Sequence, residues 1–264
     1  MAAYLEQRTT QAAGWSRALA VFSAVLFVSA GLAHRYGLIP TPPFLSLLSI
    51  VAALAVGSLA LAAYAFTRFW YHGDLGGRDL LVGGLVSLAV LAPFLTTGYR
   101  AFVYPQLNDI STDLVAPPML VAAVISRGLD TNEVTPFSAE HRRLQTENYP
   151  EVTGRRYEMP FDRAAEIVEE LLVRQGWTVA TSRPAFVGQS EMTIEALAHT
   201  LLLGFPVDVA VRLTDEGTST YVDMRSASRY GRHDLGDNAA RIIAFLRELD
   251  AEMAVQAGAA APAE

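Results

Sequence analysis

With 264 residues, 52% of them hydrophobic, and a formal net charge of −7, the chain is too apolar for an ordinary soluble globule and long enough for a membrane part plus one compact domain. All 20 basic residues are arginine and there is no cysteine, which excludes Schiff-base chemistry, a phosphate-loop lysine, thiol nucleophiles, disulfides and thiolate metal sites, and leaves the redox compartment open. Charge is uneven: residues 1–100 hold six arginines against three acids, net +3, and the remainder holds fourteen against twenty-four, net −10, so the second part lacks the concentrated basic surface that nucleic acid requires.

Three uncharged runs come first in the chain: Ala18–Ala33, Tyr36–Thr67 and Leu80–Tyr99, of 16, 32 and 20 residues. A helix needs about 20 apolar residues to cross a bilayer core, so the second and third runs qualify directly. The first qualifies with Trp15 and Tyr36 at the interface and Arg17 and Arg35 snorkelling outward. Three transmembrane helices are predicted, over roughly 15–36, 44–67 and 79–100. The stretch "GLIPTPPF" reads as a surface turn with its helix starting near Phe44, and Pro93 as a kink in the third span. A cleavable signal peptide ending in "VSAGLA" is the competing reading of the first span. Arginines 8, 17, 68 and 78 fall on one side and 35 and 100 on the other. The positive-inside rule then places the N-terminus in the cytoplasm and everything after Arg100 outside.

Residues 101–160 read as an irregular connector wrapping the domain, 161–252 as an α+β core and 253–264 as a flexible tail. A strand near Tyr157 precedes a helix over Asp162–Gln175, "DRAAEIVEELLVRQ", with Asp162 as N-cap, an apolar stripe of Ala165, Val168, Leu171 and Leu172, and Gly176 as the stop. "WTVATSR" and "SEMTIEALAHTLL" alternate as strands, the second with Met192, Ile194, Ala196 and Ala198 on one face. "VDVAVRL" aligns Val207, Val209, Val211 and Leu213, and "TDEG" turns it into "TSTYVDMRS" as a hairpin. The last helix reads Asp234–Asp250, with Asp234 and Asp237 as an acidic cap and Leu235, Ile242, Phe245, Leu246 and Leu249 as its buried stripe. The order gives an antiparallel sheet with two helices on one face.

Two segments hold the candidate chemistry. "NDISTDLVAPPML" offers Asp109, Ser111 and Asp113; "YVDMRSASRYGRHDLGDNAARI" offers Arg225, Ser226, Ser228, Arg229, Arg232, Asp234 and Asn238 at a strand-to-helix junction. A helix N-terminus beside arginines can take an anion such as a carboxylate or phosphate. The favoured reading makes the anion internal: Asp109 or Asp113 pairs with these arginines and pins the connector, because the helix already has an aspartate cap. Calcium at Asp109 and Asp113 lacks further acids at loop spacing, and histidines 34, 72, 141, 199 and 233 form no zinc-binding pair, so no metal or cofactor is expected. A serine hydrolase would need Ser226 or Ser228 beside His199 or His233, and no Gly-x-Ser-x-Gly elbow surrounds either serine. "LLLGFP", with Leu201, Leu202, Leu203 and Phe205, reads as buried strand, with an exposed tip that meets the bilayer or a partner as the alternative.

Taken together, the two segments resemble the domain-of-unknown-function family 1499 of bacteria and plant chloroplasts, in which the final strand runs into Arg-Ser-Ala-Ser-Arg, then Gly, Asp-Leu-Gly and Asn. The similarity extends over Gln106–Leu249, and His233 departs from it by standing where a small polar residue is more usual. The resemblance implies membrane anchoring or export, and no activity. The apolar spans, the weak catalytic inventory and the "LLLGFP" turn as a candidate docking tip lead to the expectation of a non-enzymatic integral protein of the bacterial inner membrane, its periplasmic α+β domain serving as an accessory or assembly module of a larger complex. Its expected partners are membrane lipids and another protein; binding of an anion or lipid headgroup by Arg225–Arg232 is the competing function.

Overall fold

The computed structural model describes residues 10–72, 74–183 and 190–260, and the chain divides into two compact units between Tyr99 and Arg100. The first unit is helical: α1 (Gln11–Arg35), α2 (Thr41–His72) and α3 (Gly77–Val103), whose last turn belongs to the second unit. At about 1.5 Å per residue each exceeds the roughly 30 Å of a bilayer core, and all three are long and apolar enough to cross a membrane. α2 begins at Thr41 rather than near Phe44. Pro42 and Pro43 fit its first turn because the N–H groups there have no helical acceptor to lose.

Small residues draw these helices together. The Ser16 hydroxyl donates to the Ser58 carbonyl (3.0 Å), Ser58 Oγ to the Ser16 carbonyl (2.7 Å) and Ser87 Oγ to Ser58 Oγ (2.8 Å), all buried. Gly83 lies so close to α1 that a Cβ added to it would stand 2.3 Å from Ser16 Oγ. Close backbone approach with hydroxyl bridges is how helices associate where no water drives apolar surfaces together.

The second unit contains, in chain order, β1 (Asp109–Ser111), α4 (Val121–Ser126), α5 (Ala139–Asn148), β2 (Arg155–Tyr157), α6 (Phe161–Arg174), β3 (Thr178–Arg183), β4 (Glu191–His199), β5 (Pro206–Asp215), β6 (Thr220–Ser228) and α7 (Asp237–Ala260). The antiparallel sheet runs β1-β6-β5-β4-β3, and β2 shares the β6 edge with β1: β1 pairs with 225–227 and β2 with 220–222. One face, built from Ile194, Val209, Val211, Leu213 and Met224, packs against Val168, Leu171 and Leu172 of α6 and Phe245, Leu246 and Leu249 of α7. Across the sheet, Ala210 and Ala227 meet Leu120 and Ala123 around α4.

Several sequence expectations shift. The stretch 101–160 is not irregular throughout: β1 takes up the open edge of β6, and α4 and α5 form within it, α5 capped by Ser138, whose hydroxyl accepts the His141 N–H. α6 starts at Phe161 behind Pro160, so Asp162 sits in the first turn, where its charge favours the helix dipole, and is not the cap. α7 starts at Asp237, because Leu235 (φ 59°) and Gly236 (φ 79°) are left-handed, which takes Leu235 out of the buried stripe. The alanine-rich tail continues α7 to Ala260, as its helix propensity favours, while 261–264 lie outside the described residues. "LLLGFP" is a turn rather than strand: Thr200 N–H donates to the Phe205 carbonyl (2.9 Å) and Gly204 takes φ 71°. Leu201 and Leu202 are exposed, Leu203 and Phe205 half-buried.

Candidate functional site

Strand alternation distributes the second motif over both faces of the sheet, so the candidate residues form two clusters and not one. Arg225 projects to the α4 face. Its Nε and Nη2 donate to the two oxygens of Asp109 (2.9 and 2.7 Å), its Nη1 to the Pro118 carbonyl (3.2 Å), and its guanidinium lies 5.1 Å from the Phe137 ring centre. Phe137 in turn stacks on His141 at 4.3 Å. A two-point pair of this kind is geometrically demanding, and it fixes β1 to β6 beyond their three-residue ladder.

Arg229 turns to neither Asp109 nor Asp113. Its Nε and Nη2 grip Asp208 of β5 (2.7–3.0 Å), and Nη2 also donates to Ser126 Oγ (3.0 Å). Arg127 approaches the same carboxylate from the connector, Nε to Oδ2 at 2.8 Å. Asp113 accepts from the N–H groups of Val115 and Ala116 (both 2.9 Å) and from Arg212 Nη2 (2.9 Å), whose second partner is Asp223 (2.6 Å). Burial works against the Asp113 carboxylate, yet the two N–H groups and Arg212 outweigh it and hold its pKa below the ordinary value. Burial likewise works against charged Arg212, and its hydrogen bonds to Asp223 and Asp113 outweigh that and raise its pKa. Glu195 of β4 accepts from Ala122 and Ala123 N–H at the start of α4 (3.0 and 3.1 Å). Ser111 is clamped by Gln145, whose amide accepts from its N–H (3.2 Å) and donates to its carbonyl (2.6 Å), standing in for the next strand.

The opposite face holds the remaining motif residues. Asn238 accepts from Ser226 Oγ (2.9 Å) and donates to Ser228 Oγ and the Asn108 carbonyl (both 3.0 Å), while Arg241 Nη1 reaches Ser226 Oγ (3.2 Å) and Asn238 Oδ1 (2.9 Å). Burial lowers the Arg241 pKa, with Asp237 and Asp234 opposing. Asp234 accepts from Gly236 and Asn238 N–H (2.9 and 3.0 Å), and burial pushes its carboxyl up despite these donors. That carboxylate occupies the anion position at the helix start. His233 acquires a positioning role: Nδ1 accepts from Leu235 N–H (3.0 Å), which leaves Nε2–H to donate to the carbonyls of Ala101 and Tyr104 (3.2 and 3.1 Å). Neither Ser226 nor Ser228 is hydrogen-bonded to a histidine among the described residues, so the geometry offers no base for a serine nucleophile.

Arg225 and Arg229 are thus neutralised internally, and of the motif's arginines Arg232 stays exposed without an acidic partner among the described residues. A cleft of about 140 Å³ lies between Asp109, Arg127, Phe137 and His141. Sequence reasoning missed Arg127, Gln145, Glu195, Asp208, Arg212, Asp223 and Arg241. The signal available for Asp208, Arg212 and Asp223 was their alternation with Val207–Leu213 and Val222–Met224, which reads equally well as a solvated face. A family model described as "Protein of unknown function (DUF1499)" matches residues 109–249, more than half of the chain, and the chain belongs to that family. No curated protein and no solved structure matches it.

Proposed function

We propose that this is a non-enzymatic integral membrane protein whose α+β domain acts as an accessory or assembly module of a larger membrane complex, and that the outer side of its connector is the surface offered to a protein partner. The observation that carries this reading is a set of outward apolar side chains on a segment tied to the sheet from beneath. Val115, Met119 and Val124 are 91%, 69% and 55% exposed, while Asp113, Arg225 and Glu195 fix the backbone on either side of them. Ordered backbone with outward apolar side chains is typical of a docking surface, and reactive groups tied up in internal pairs leave little for catalysis. The arginine distribution supports an inner-membrane protein with a cytoplasmic N-terminus and a periplasmic domain.

The test is purification of the full-length chain from its native membranes in mild detergent, beside the double variant V115D/M119D. A partner present in fixed stoichiometry with the parent chain and lost from the variant is the expected result. A partner retained by the variant, or none at any detergent mildness, overturns the reading.

A further inference from the structure

A second apolar surface lies at the end of the sheet where the chain enters the domain. His233 binds the carbonyls of Ala101 and Tyr104 in and just after the last turn of α3, and Asp234 N–H donates to the Leu107 carbonyl (2.8 Å). In the same neighbourhood Arg229 N–H donates to the Pro206 carbonyl (3.2 Å), Arg229 Nη2 to Ser126 Oγ, and Asn132 N–H to the Arg229 carbonyl (2.8 Å). These bonds gather four segments at one end: the close of α3, the loop after α4, the β4–β5 turn and the β6–α7 loop. Their tips are apolar. Leu129 is 106% exposed, and Ile125 and Leu202 are each 80% exposed. Arg232 stands exposed in the β6–α7 loop.

The geometry points to the lipid headgroup region of the host bilayer as the occupant of this surface. Only residues 104–108 separate α3 from β1, and five residues span at most about 18 Å fully extended. The end that carries Leu129 and Leu202 is therefore tethered close to where the third apolar helix finishes. Leucine and isoleucine side chains at the acyl boundary, beside an arginine that reaches lipid phosphate, form the pattern by which a protein surface rests on a membrane. The inference goes beyond the accessory-module reading and uses different residues: Ile125, Leu129, Leu202 and Arg232 face lipid, and Val115 and Met119 face the partner. The opposite end of the sheet, at Thr218 in the β5–β6 turn, lies one nine-residue strand away, about 30 Å along the strand direction.

The chain has no cysteine, so single fluorophores can be placed by L129C, L202C and T218C in the full-length protein reconstituted into vesicles of neutral and of anionic phospholipid. Lipids carrying a nitroxide near the headgroup are expected to quench the labels at 129 and 202 several-fold more than the label at 218, and R232A is expected to reduce quenching at 202, more in anionic than in neutral vesicles. Labels at 129 and 202 that stay open to aqueous iodide and unquenched by nitroxide lipid overturn the proposal. Shielding from both quenchers places a protein there and also overturns it, as does shielding lost on diluting the protein in lipid, which marks a second copy. Equal quenching at 218 refutes the end-on contact. None of these outcomes depends on whether V115D/M119D loses a partner.

Discussion

The two faces of the sheet are covered by different physics. Val209, Val211, Leu213 and Met224 meet α6 and α7 through apolar contact, and polar pairing on that face is confined to its β6–α7 corner, where Ser226 and Ser228 meet Asn238, so most of that face is held by apolar area removed from water. The other face has Asp208, Arg212, Asp223, Arg225 and Glu195 beneath the connector, each tied by name to a partner. Apolar packing tolerates small slips of one layer over another, whereas a buried two-point ion pair has one register. Such pairs cost desolvation and add little net stability, and their value is in specifying one arrangement. A poorly patterned segment can thus be held in one register as definitely as a helix when its anchors are charged.

The largest effect is expected from Asp208→Ala. It strands Arg127 and Arg229, whose side chains are 6% and 16% exposed, and removing one partner of a buried pair costs about 3–5 kcal/mol. Hydrogen exchange is expected to accelerate first across 121–132 while α6 and α7 stay protected. Leu171→Ala, in the fully buried part of the apolar face, costs about 2–5 kcal/mol. Its loss is expected to spread over the whole domain in one transition. If both variants loosen the same segments together, the two faces do not differ in the way described.

A smaller effect is expected at the edge of β1. Gln145→Ala leaves the Ser111 N–H and carbonyl without partners in a buried site, a loss of about 1–3 kcal/mol. Exchange at Ser111 and Asp113 is expected to rise with no change at α7. Protection that persists there would show that β6 alone secures the strand.

The apolar face was legible from the sequence because its signal is periodic: Val207, Val209, Val211 and Leu213 name their own strand, and Ile242, Phe245, Leu246 and Leu249 their own helix. Membrane spans are legible for the same reason, each being a long run of one character. The charged face was not, since Asp208 and Arg212 look like solvent-facing positions until a segment almost a hundred residues earlier is laid over them. The Asp109–Arg225 pair is within reach of sequence reasoning, because both residues sit in dense polar motifs. The same motif offers Arg229 the same two candidates, but its acid, Asp208, belongs to the neighbouring strand, and sheet register cannot be read from one strand. Likewise the sequence predicts a helix starting at Asp234, and the left-handed pair Leu235–Gly236 delays that start to Asp237.

The smallest expected effect is one of pH, and it tests the aromatic end of the charged face. His141 stacks on Phe137, its Nε2 is buried without a hydrogen-bond partner among the described residues, and the charges around it are Asp109, Arg225 and Arg142. Burial lowers its pKa below 6.5, with Asp109 opposing and the two arginines assisting. An unfolded histidine binds its proton at 6.5 and the folded one only at lower pH, so protonation in that interval favours the unfolded state. The stability contributed by His141 is complete above 6.5 and is lost as pH falls toward the folded value. Asp234 has the opposite sign, because its raised pKa makes the folded state the better proton acceptor, so a global melting curve would blur the two. Exchange at α5 amides, corrected for intrinsic rates, separates them: it is expected to rise below pH 6.5 in the parent chain and stay level in His141→Phe, which keeps the ring stack and removes the titration. An unchanged pH dependence in that variant would assign the loosening to another group.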